Sequence, residues 1–429
     1  MTQFPSTIVA EIQAYRQALA TLLLYGDSLQ DGVGQAFTDL LDAVASQSTT
    51  DSLRAYGRWF QALATAQETW LSYLQRRILY ADNPFTQQVQ TQGLGGLPAA
   101  LALAARHDLA LLQTLSGLSG QQVAEWIQVI GNLAERPVVW DTQPAPLPFA
   151  FDPAQPWPDQ VEALAAHYQR HGAGVLAQYH VFTWQGQALQ GVAQPDPVRL
   201  ETLAAYDHPR QQLLHNTLAL LRGYPALNVL LYGSRGSGKS SLVKALVNEY
   251  GAQGLRLVEV PKPALQALPQ IVDRLRSAPQ KFIIFVDDLS FEEDDDAFKS
   301  LKVVLEGSVT ARPQNVVVYA TSNRRHLVRE YFSDRPRPSD QDEIQSWDTV
   351  QEKLSFSDRF GLTLTFEPAD QPTYLAIVQH LANQAQLTIS DEDLRARALQ
   401  WATRHNGRSG RTARQFIDWL TADLAEGSH

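Results

Sequence analysis

The stretch NVLLYGSRGSGKSSLVKAL, residues 228–246, joins an apolar run to an amphipathic run through a loop of glycines and serines. The loop leads into Lys239, which is the first lysine of the chain. From Gly233 to Ser240 the residues match the pattern G-x-x-x-x-G-K-S, with a predicted strand before it and a predicted helix after it. A phosphate-binding loop requires this context, so the stretch predicts an α/β nucleotide-binding fold.

Glycines in such a loop let consecutive backbone N–H groups curve around an anion, and the following helix adds its N-terminal dipole. A lysine at this position reaches the β- and γ-phosphates, and the hydroxyl group after it ligates Mg²⁺. The pattern therefore predicts that Lys239 binds the phosphates of ATP or ADP and that Ser240 is a magnesium ligand. The predicted phosphate-binding residues are Gly233, Ser234, Arg235, Gly236, Ser237, Gly238, Lys239, Ser240 and Ser241.

A second element, KFIIFVDDLSF at residues 281–291, is an apolar strand that ends in two acids. Such a strand places carboxylates at the carboxyl edge of the sheet, beside the phosphate loop. We predict that Asp287 holds Mg²⁺, mostly through water, and that Asp288 polarises the attacking water. The alternative is a buried strand ending in solvated acids, and the phosphate loop upstream disfavours it.

The composition is that of a globular protein of two or three domains. The chain has 429 residues, of which 44% are hydrophobic and 19% charged, and its formal net charge is −10. Neither half has the basic stripe that a phosphate backbone would bind, so a nucleic-acid partner is disfavoured. We expect no transmembrane segment and no secretory signal. Cysteine is absent, which agrees with a reducing cytoplasm.

The patterning predicts four regions. Residues 1–136 carry apolar residues at helical spacing and predict a helical N-terminal domain. Residues 137–194 predict a proline-rich linker, a helix and a β-hairpin with its turn at Gln185-Gly186. Residues 195–369 predict an α/β P-loop NTPase domain with a five-stranded parallel sheet flanked by helices, and residues 370–429 predict a small helical lid. The predicted parallel strands are 228–233, 255–260, 281–288, 315–323 and 361–368.

Several stretches together resemble the AAA+ ATPases and, more closely, a bacterial group within them described as domain of unknown function 815. The resemblance covers about residues 180–425. It implies an ATPase that works with ATP and Mg²⁺ as a homo-oligomer, with a hexameric ring as the family default. The stretches that carry it are RLETLAAYDHPRQQLLHNTLALLRGYPALNVLLYGSRGSGKSSLVKAL, FIIFVDDLSFE, YATSNRRHL, KLSFSDRFGLTLTF and GRSGRTARQF.

The resemblance assigns further roles by position. Asn323 in YATSN resembles a sensor-1 residue that orients the lytic water. Arg359 in SDRFG resembles an arginine finger, which reaches a neighbouring subunit and neutralises charge on the leaving γ-phosphate. Arg411 in GRSGRTARQF resembles a sensor-2 arginine of the lid, with Arg408 and Arg414 as open alternatives. Ordinary structural roles also stay open: a strand-end cap for Asn323 and a surface ion pair for Arg359.

The stretch RLETLAAYDHPRQ resembles the segment that packs around adenine in AAA+ proteins. Leu203 and Tyr206 would flank the base. Ala205 stands where relatives usually have glycine, which puts the local turn and the role of Tyr206 in question. The alternative is ordinary core packing.

Two departures from the family pattern bear on mechanism. AAA+ proteins usually have Asp-Glu where this chain has Asp287-Asp288, so the second carboxylate is drawn back by one C–C bond, about 1.5 Å. Glu292 and Glu293 are nearby, less plausible substitutes. The stretch VPKPALQALPQIV, residues 260–272, lacks the aromatic-apolar-glycine loop of protein-threading machines, so threading by that mechanism is disfavoured.

We predict an enzyme that hydrolyses ATP with Mg²⁺ and uses the energy to remodel or assemble an unidentified protein partner, bound through the N-terminal domain. Two other classes stay open: a slow nucleotide-dependent switch or scaffold, and a DNA-associated loader. A phosphotransferase is disfavoured because no motif for a second substrate is visible. The polar stretches 291–298 and 332–348 are predicted to be surface segments, the first with cation or partner binding as its alternative.

Overall fold

The computed structural model describes residues 4–143, 145–289, 296–306, 313–323, 356–405 and 407–426. The chain divides into two compact units, Met1–Gln178 and Tyr179–His429. Within the described residues, no helix is both long and apolar enough to pass through a membrane. The predicted surface stretch 332–348, most of 291–298, and both Glu292 and Glu293 lie outside the described residues.

Helices make up the regular structure of the first unit in its described residues. Its core is aromatic: the ring centroids of Phe37 and Trp70 lie 4.1 Å apart, and the Trp59 ring packs against both. All three side chains are buried. The helices are α1 (Ser6–Ala20), α2 (Gly32–Ala45), α3 (Thr49–Ala66), α4 (Trp70–Leu79), α5 (Pro84–Gln92), α6 (Ala99–Ser116), α7 (Gly120–Gly131), α8 (Val161–His171) and α9 (Gly174–Gln178).

Local capping divides the apolar periodicity of residues 54–80 into two helices. Gln67 follows α3 in the left-handed conformation, with a φ of 55°. Two residues later Thr69 begins α4, where its hydroxyl oxygen accepts a hydrogen bond of 3.2 Å from the Ser72 N–H. A left-handed residue ends a helix and a threonine cap begins one, so the break lies between them.

A buried carboxylate holds the segment that follows α1. Asp108, on α6, is fully buried. Its two oxygens accept hydrogen bonds of 2.7–3.1 Å from the backbone N–H groups of Leu23, Leu24 and Tyr25. These N–H groups belong to an irregular segment, where a side-chain acceptor replaces the partners that a helix would supply. The charge of Asp108 is thus stabilised by backbone dipoles rather than by a cation.

Among its described residues, the second unit has one sheet of seven strands in the order β2-β1-β4-β5-β6-β3-β7. The prediction of five strands is therefore wrong. The five predicted parallel strands are present, but β1 pairs in parallel with β4, and the antiparallel strand β2 follows β1. The hairpin thus covers the backbone edge that β4 would otherwise expose. The strands are β1 (Val181–Gln185), β2 (Ala188–Gly191), β3 (Val229–Gly233), β4 (Leu255–Glu259), β5 (Lys281–Val286), β6 (Val316–Ser322) and β7 (Leu362–Phe366).

The turn of this hairpin lies one residue later than predicted. Gln185 pairs with Ala188, so the turn residues are Gly186 and Gln187. Both have positive φ angles, 55° and 67°. Two left-handed residues are typical of a type I′ turn, whose twist matches that of the flanking strands.

In the part of the second unit that the structure describes, four helices lie between strands, and three more form a C-terminal bundle. The bundle has its own core, in which Tyr374 of the first helix packs with Phe416 and Leu420 of the last. The finer domain boundaries after residues 136, 194 and 369 remain predictions. The helices are α10 (Asp207–Leu221), α11 (Lys239–Tyr250), α12 (Leu268–Leu275), α13 (Asp296–Glu306), α14 (Gln371–Gln384), α15 (Asp391–Arg404) and α16 (Gly410–Glu426).

Replacing Asp108 by asparagine is expected to lower the free energy of unfolding of the first unit by roughly 2–3 kcal/mol, because an amide NH₂ group would face backbone donors and one charged acceptor would be lost. Urea unfolding followed by tryptophan fluorescence measures the change. Asp42→Asn is the matched control, since Asp42 forms an exposed ion pair with Arg16 and its loss is expected to cost less than about 1 kcal/mol. Equal effects of the two substitutions would contradict this role of Asp108.

Candidate functional site

Three glycines at the loop between β3 and α11, Gly233, Gly236 and Gly238, have positive φ angles that favour glycine. Gly233 has a φ of 142°, and a Cβ atom there would lie 1.9 Å from the carbonyl oxygen of Phe366 on β7. Gly238 has a φ of 88° and immediately precedes α11. The N–H of Ser234 donates to the Phe366 carbonyl over 3.0 Å, which holds the loop against β7. The predicted phosphate loop therefore has the curved backbone that its pattern requires.

The Lys239 side chain curls back over this loop. Its ammonium nitrogen lies 3.0 Å from the carbonyl oxygen of Gly233 and 2.7 Å from that of Ser234. The Asn323 side-chain oxygen lies 3.5 Å from the same nitrogen. Only 6% of the residue is exposed. The ammonium is thus a buried hydrogen-bond donor that lies against backbone carbonyl groups of the loop.

Burial lowers the pKa of Lys239 below its usual range. The carboxylates of Asp287 and Asp288 oppose this effect, because negative charge nearby favours the ammonium form. Lys239 is thus a desolvated cation that lies close to two carboxylates.

Asp287 and Ser240, which were predicted as magnesium ligands, lie within hydrogen-bond distance of each other. The Ser240 hydroxyl donates to Oδ1 of Asp287 over 2.6 Å. The Asp287 side chain is exposed to the cleft, so its other oxygen has solvent access. Both groups are hard oxygen donors. Mg²⁺ is usually bound by one or two such protein groups together with substrate phosphates.

Asp288 and Asn323 also meet. The Asn323 side-chain amide donates to Oδ1 of Asp288 over 2.6 Å. Asp288 has a φ of 50°, a left-handed backbone that is uncommon for a residue other than glycine. Asp288 follows β5 and Asn323 follows β6, so the two residues lie at the carboxyl ends of neighbouring strands.

Thr321 is a site residue that the sequence analysis missed. Its hydroxyl donates to Oδ1 of Asp287 over 2.5 Å and accepts a hydrogen bond of 2.9 Å from the Asp288 N–H. The side chain is buried, with 2% exposure. The available signal was its position two residues before Asn323, which places both side chains on the same face of β6.

The predicted adenine segment contributes to the same cleft. Leu203 and Tyr206 both line it. The Tyr206 ring packs on Phe366 with centroids 5.2 Å apart, and its hydroxyl donates to the carbonyl of Glu367 over 2.8 Å. The turn adopts the left-handed conformation at Ala205, with a φ of 67°, although alanine stands there in place of glycine.

The C-terminal bundle closes one side of the cleft. The N–H of Arg411, at the start of α16, donates to the carbonyl of Gly236 in the phosphate loop over 3.2 Å. Arg411 and Arg414 both line the cleft. Arg408 instead donates to the side chain of Gln371 over 3.2 Å and is not among the lining residues. Two of the three predicted arginines therefore line the cleft.

Together these groups enclose a cleft of about 980 Å³. This volume is at the upper end of the range for small-molecule sites. All of its lining residues lie between residues 196 and 415, in the second unit. The remaining predicted phosphate-loop residues, Arg235, Ser237 and Ser241, also line it.

Arg359 lies away from this cleft. It precedes β7, whose first residue Leu362 pairs with Val229 and whose last residue Phe366 pairs with Gly233. The phosphate loop begins at Gly233, at the carboxyl end of β3, whereas Arg359 lies before the amino end of the neighbouring strand β7. The length of β7, about 13 Å at roughly 3.3 Å per residue, separates them. Arg359 is not among the lining residues of the cleft in its own chain.

Comparison with known proteins gives one family and several distant structures. A family model described as "Protein of unknown function (DUF815)" matches residues 177–424. No curated protein matches. RuvB of Thermotoga maritima, a Holliday junction branch migration motor, is 14% identical over 52% of this chain and 72% of its own, with a TM-score of 0.31. AMPPCP-bound DnaA of Aquifex aeolicus is 17% identical over 53% of this chain and 66% of its own, with a TM-score of 0.38. Likeness at this level carries no conclusion about function.

Replacing Lys239 by alanine is expected to weaken ATP binding tenfold to a hundredfold, since hydrogen bonds from a charged group contribute roughly 1.5–3 kcal/mol and 1.4 kcal/mol is a factor of ten. Isothermal titration calorimetry with ATP measures the change. Lys244→Ala, on the same helix but outside the cleft lining, is expected to bind as the unaltered chain does. Equal ATP affinity of the Lys239→Ala protein would contradict a phosphate site here.

Proposed function

The chain belongs to the DUF815 family, and we propose that it is an AAA+ ATPase that binds ATP with Mg²⁺ and hydrolyses it to ADP and phosphate. One observation carries the proposal. The Lys239 ammonium, the Ser240–Asp287 pair and the Asp288–Asn323 pair meet in a single cleft at the carboxyl ends of β3, β5 and β6. Ligands of parallel α/β sheets bind at this edge.

The oxygen donors fit magnesium rather than a transition metal. Ser240 and Asp287 would hold the ion, with the remaining positions taken by phosphate oxygens and water. Among the described residues, no group of three or more histidine, cysteine or acidic side chains could hold a metal by itself. When bound, Mg²⁺ would neutralise charge on the β- and γ-phosphates.

ATP would lie across the cleft, with its triphosphate on the loop and its base between the sheet and the C-terminal bundle. The loop N–H groups and Lys239 would bind the phosphates. Leu203 and Tyr206 would contact the base, and Arg411 or Arg414 would reach the phosphates from the bundle. A cleft lined by both an aromatic side chain and cations supports a ligand that has both a base and phosphates.

Hydrolysis would proceed by in-line attack of water on the γ-phosphorus. The new P–O bond forms as the bond to the β–γ bridging oxygen breaks, and ADP leaves with that electron pair. The proton of the water passes to the Asp288 carboxylate and from there to the released phosphate or solvent. Asn323 fixes the direction of the carboxylate, and Lys239 stabilises charge on the leaving group.

A second copy of the chain would complete the site. Arg359 lies at the edge of the sheet opposite its own phosphate loop, so it would act on the nucleotide of a neighbouring subunit. This geometry supports a homo-oligomer, with a ring as the form in which every subunit supplies and receives one arginine.

The hydrogen bond from the Arg411 N–H to the Gly236 carbonyl would couple the position of the C-terminal bundle to whether ATP or ADP is bound. We assign to the first unit the binding of a protein partner that the ATPase remodels or assembles. A net charge of −10 disfavours nucleic acid as that partner.

The purified chain is expected to release phosphate from ATP in a Mg²⁺-dependent reaction, and Asp288→Asn is expected to reduce kcat by a factor of roughly 100 or more while ATP binding is retained, because the amide cannot accept the water proton. A phosphate-release assay and calorimetry on the same proteins measure both quantities. An unaltered chain that binds ATP without turnover would instead favour the switch or scaffold. An Asp288→Asn protein with full activity would exclude Asp288 as the base.

Mixing two inactive variants tests the contribution of Arg359. Lys239→Ala impairs the cleft but leaves the arginine, whereas Arg359→Ala leaves the cleft intact. Equal amounts of the two are expected to recover up to about a quarter of wild-type activity, since about one interface in four pairs an intact cleft with an intact arginine in a dimer or ring. Activity that does not rise on mixing, with subunit exchange verified by native mass spectrometry, would contradict action between subunits.

A further inference from the structure

The backbone of Asp288 is held in an uncommon conformation. A left-handed φ is unfavourable for an ordinary L-residue, and aspartate tolerates it better than most residues. Such a conformation persists where surrounding contacts determine it, and it occurs often at functional sites. With a φ of 50°, Asp288 directs its short side chain to Asn323, where the oxygen accepts a hydrogen bond of 2.6 Å.

The contacts that hold this turn come from β6. The Thr321 carbonyl accepts a hydrogen bond of 2.7 Å from the Leu289 N–H, and the Ser322 hydroxyl donates to the Leu289 carbonyl over 2.9 Å. The Thr321 hydroxyl accepts from the Asp288 N–H over 2.9 Å. The segment after β5 is therefore fastened to the end of β6 on both sides of Asp288.

The Thr321 hydroxyl contacts both acids at once. It donates its proton to Oδ1 of Asp287 over 2.5 Å while its oxygen accepts from the Asp288 N–H. A hydroxyl has one proton to donate, so this arrangement also fixes its own orientation. Thr321 is 2% exposed, which keeps water from competing strongly for these bonds.

We propose that Thr321 is a positioning residue for this site, which orients the Asp287 carboxylate for Mg²⁺ and holds the Asp288 backbone in the left-handed turn that directs its carboxylate to Asn323. The proposal rests on the ATPase function proposed above. It also accounts for aspartate at position 288, where AAA+ proteins usually have glutamate. The left-handed turn brings the shorter carboxylate to Asn323. A glutamate at position 288 would extend the carboxylate by about 1.5 Å, beyond the present contact with Asn323.

The decisive variant is Thr321→Val, which keeps the shape of the side chain and removes the hydroxyl. Partners of this kind change metal affinity or activity by tenfold to a hundredfold. We therefore expect kcat for ATP hydrolysis to fall tenfold to a hundredfold. The ratio of the ADP affinity measured with Mg²⁺ to the ADP affinity measured with EDTA is expected to fall tenfold or more. ADP affinity in EDTA is expected to change less than threefold. Thr321→Ser is expected to recover most of the lost kcat.

Thr217→Val is the matched control for loss of a buried threonine hydroxyl. Thr217 is fully buried, and its hydroxyl contacts the Tyr319 hydroxyl at 2.9 Å, away from the cleft. This variant is expected to lose stability but to keep both kcat and the Mg²⁺ ratio. Equal losses of kcat in the Val variants at positions 321 and 217 would show a merely structural role and overturn the proposal.

The fit of aspartate is tested by Asp288→Glu. We expect this variant to bind ATP normally and to retain less than about a tenth of the wild-type kcat, since small displacements of a reacting group can slow chemistry a hundredfold. Wild-type activity in Asp288→Glu would overturn the geometric fit. A wild-type chain that hydrolyses no ATP would overturn the proposed hydrolysis, and the Mg²⁺ ratio of Thr321→Val would then still decide whether Thr321 orients Asp287.

Discussion

The cleft is organised around one buried positive charge. The Lys239 ammonium is 6% exposed and is held by the carbonyl oxygens of Gly233 and Ser234. A charge removed from water is stable only when hydrogen bonds and opposite charges replace its hydration. The loop carbonyls supply the hydrogen bonds, and Asp287 and Asp288 supply the opposite charge. In the proposed function, a triphosphate would offer this ammonium charged oxygen atoms in place of neutral carbonyl groups.

The parallel sheet is what brings these groups together. β6 lies between β5 and β3, so residues that follow three separate strands meet at one edge. Lys239 and Asn323 come into contact although 84 positions separate them in the chain. Reversal of any one of these strands would carry its end residues to the other edge. The same parallel order puts Arg359 at the edge opposite the loop, which is why its proposed role requires a second subunit.

Local patterns were sufficient for the phosphate loop and for the five parallel strands. The loop depends on glycine spacing and each strand on a short apolar run. Both patterns lie within about ten residues. The seven-stranded sheet was not predictable in this way, because pairing of β1 with β4 joins Val181 to Leu257 across a long stretch of chain. The turn at Gly186 and Gln187 was misplaced by one residue for a related reason: strand register, not the identity of the glycine, decides which residues form it.

The sequence by itself determined the chemistry: one lysine, a hydroxyl group and two acids in the order of a nucleotide site. Tertiary structure decided how these groups are held. It placed Thr321 between the two acids, set Asp288 in a left-handed turn, and put Arg411 and Arg414, but not Arg408, along the cleft. The physical reason is distance. Side-chain type follows from the local sequence, whereas hydrogen bonds and burial depend on which distant residues the fold brings within about 3 Å.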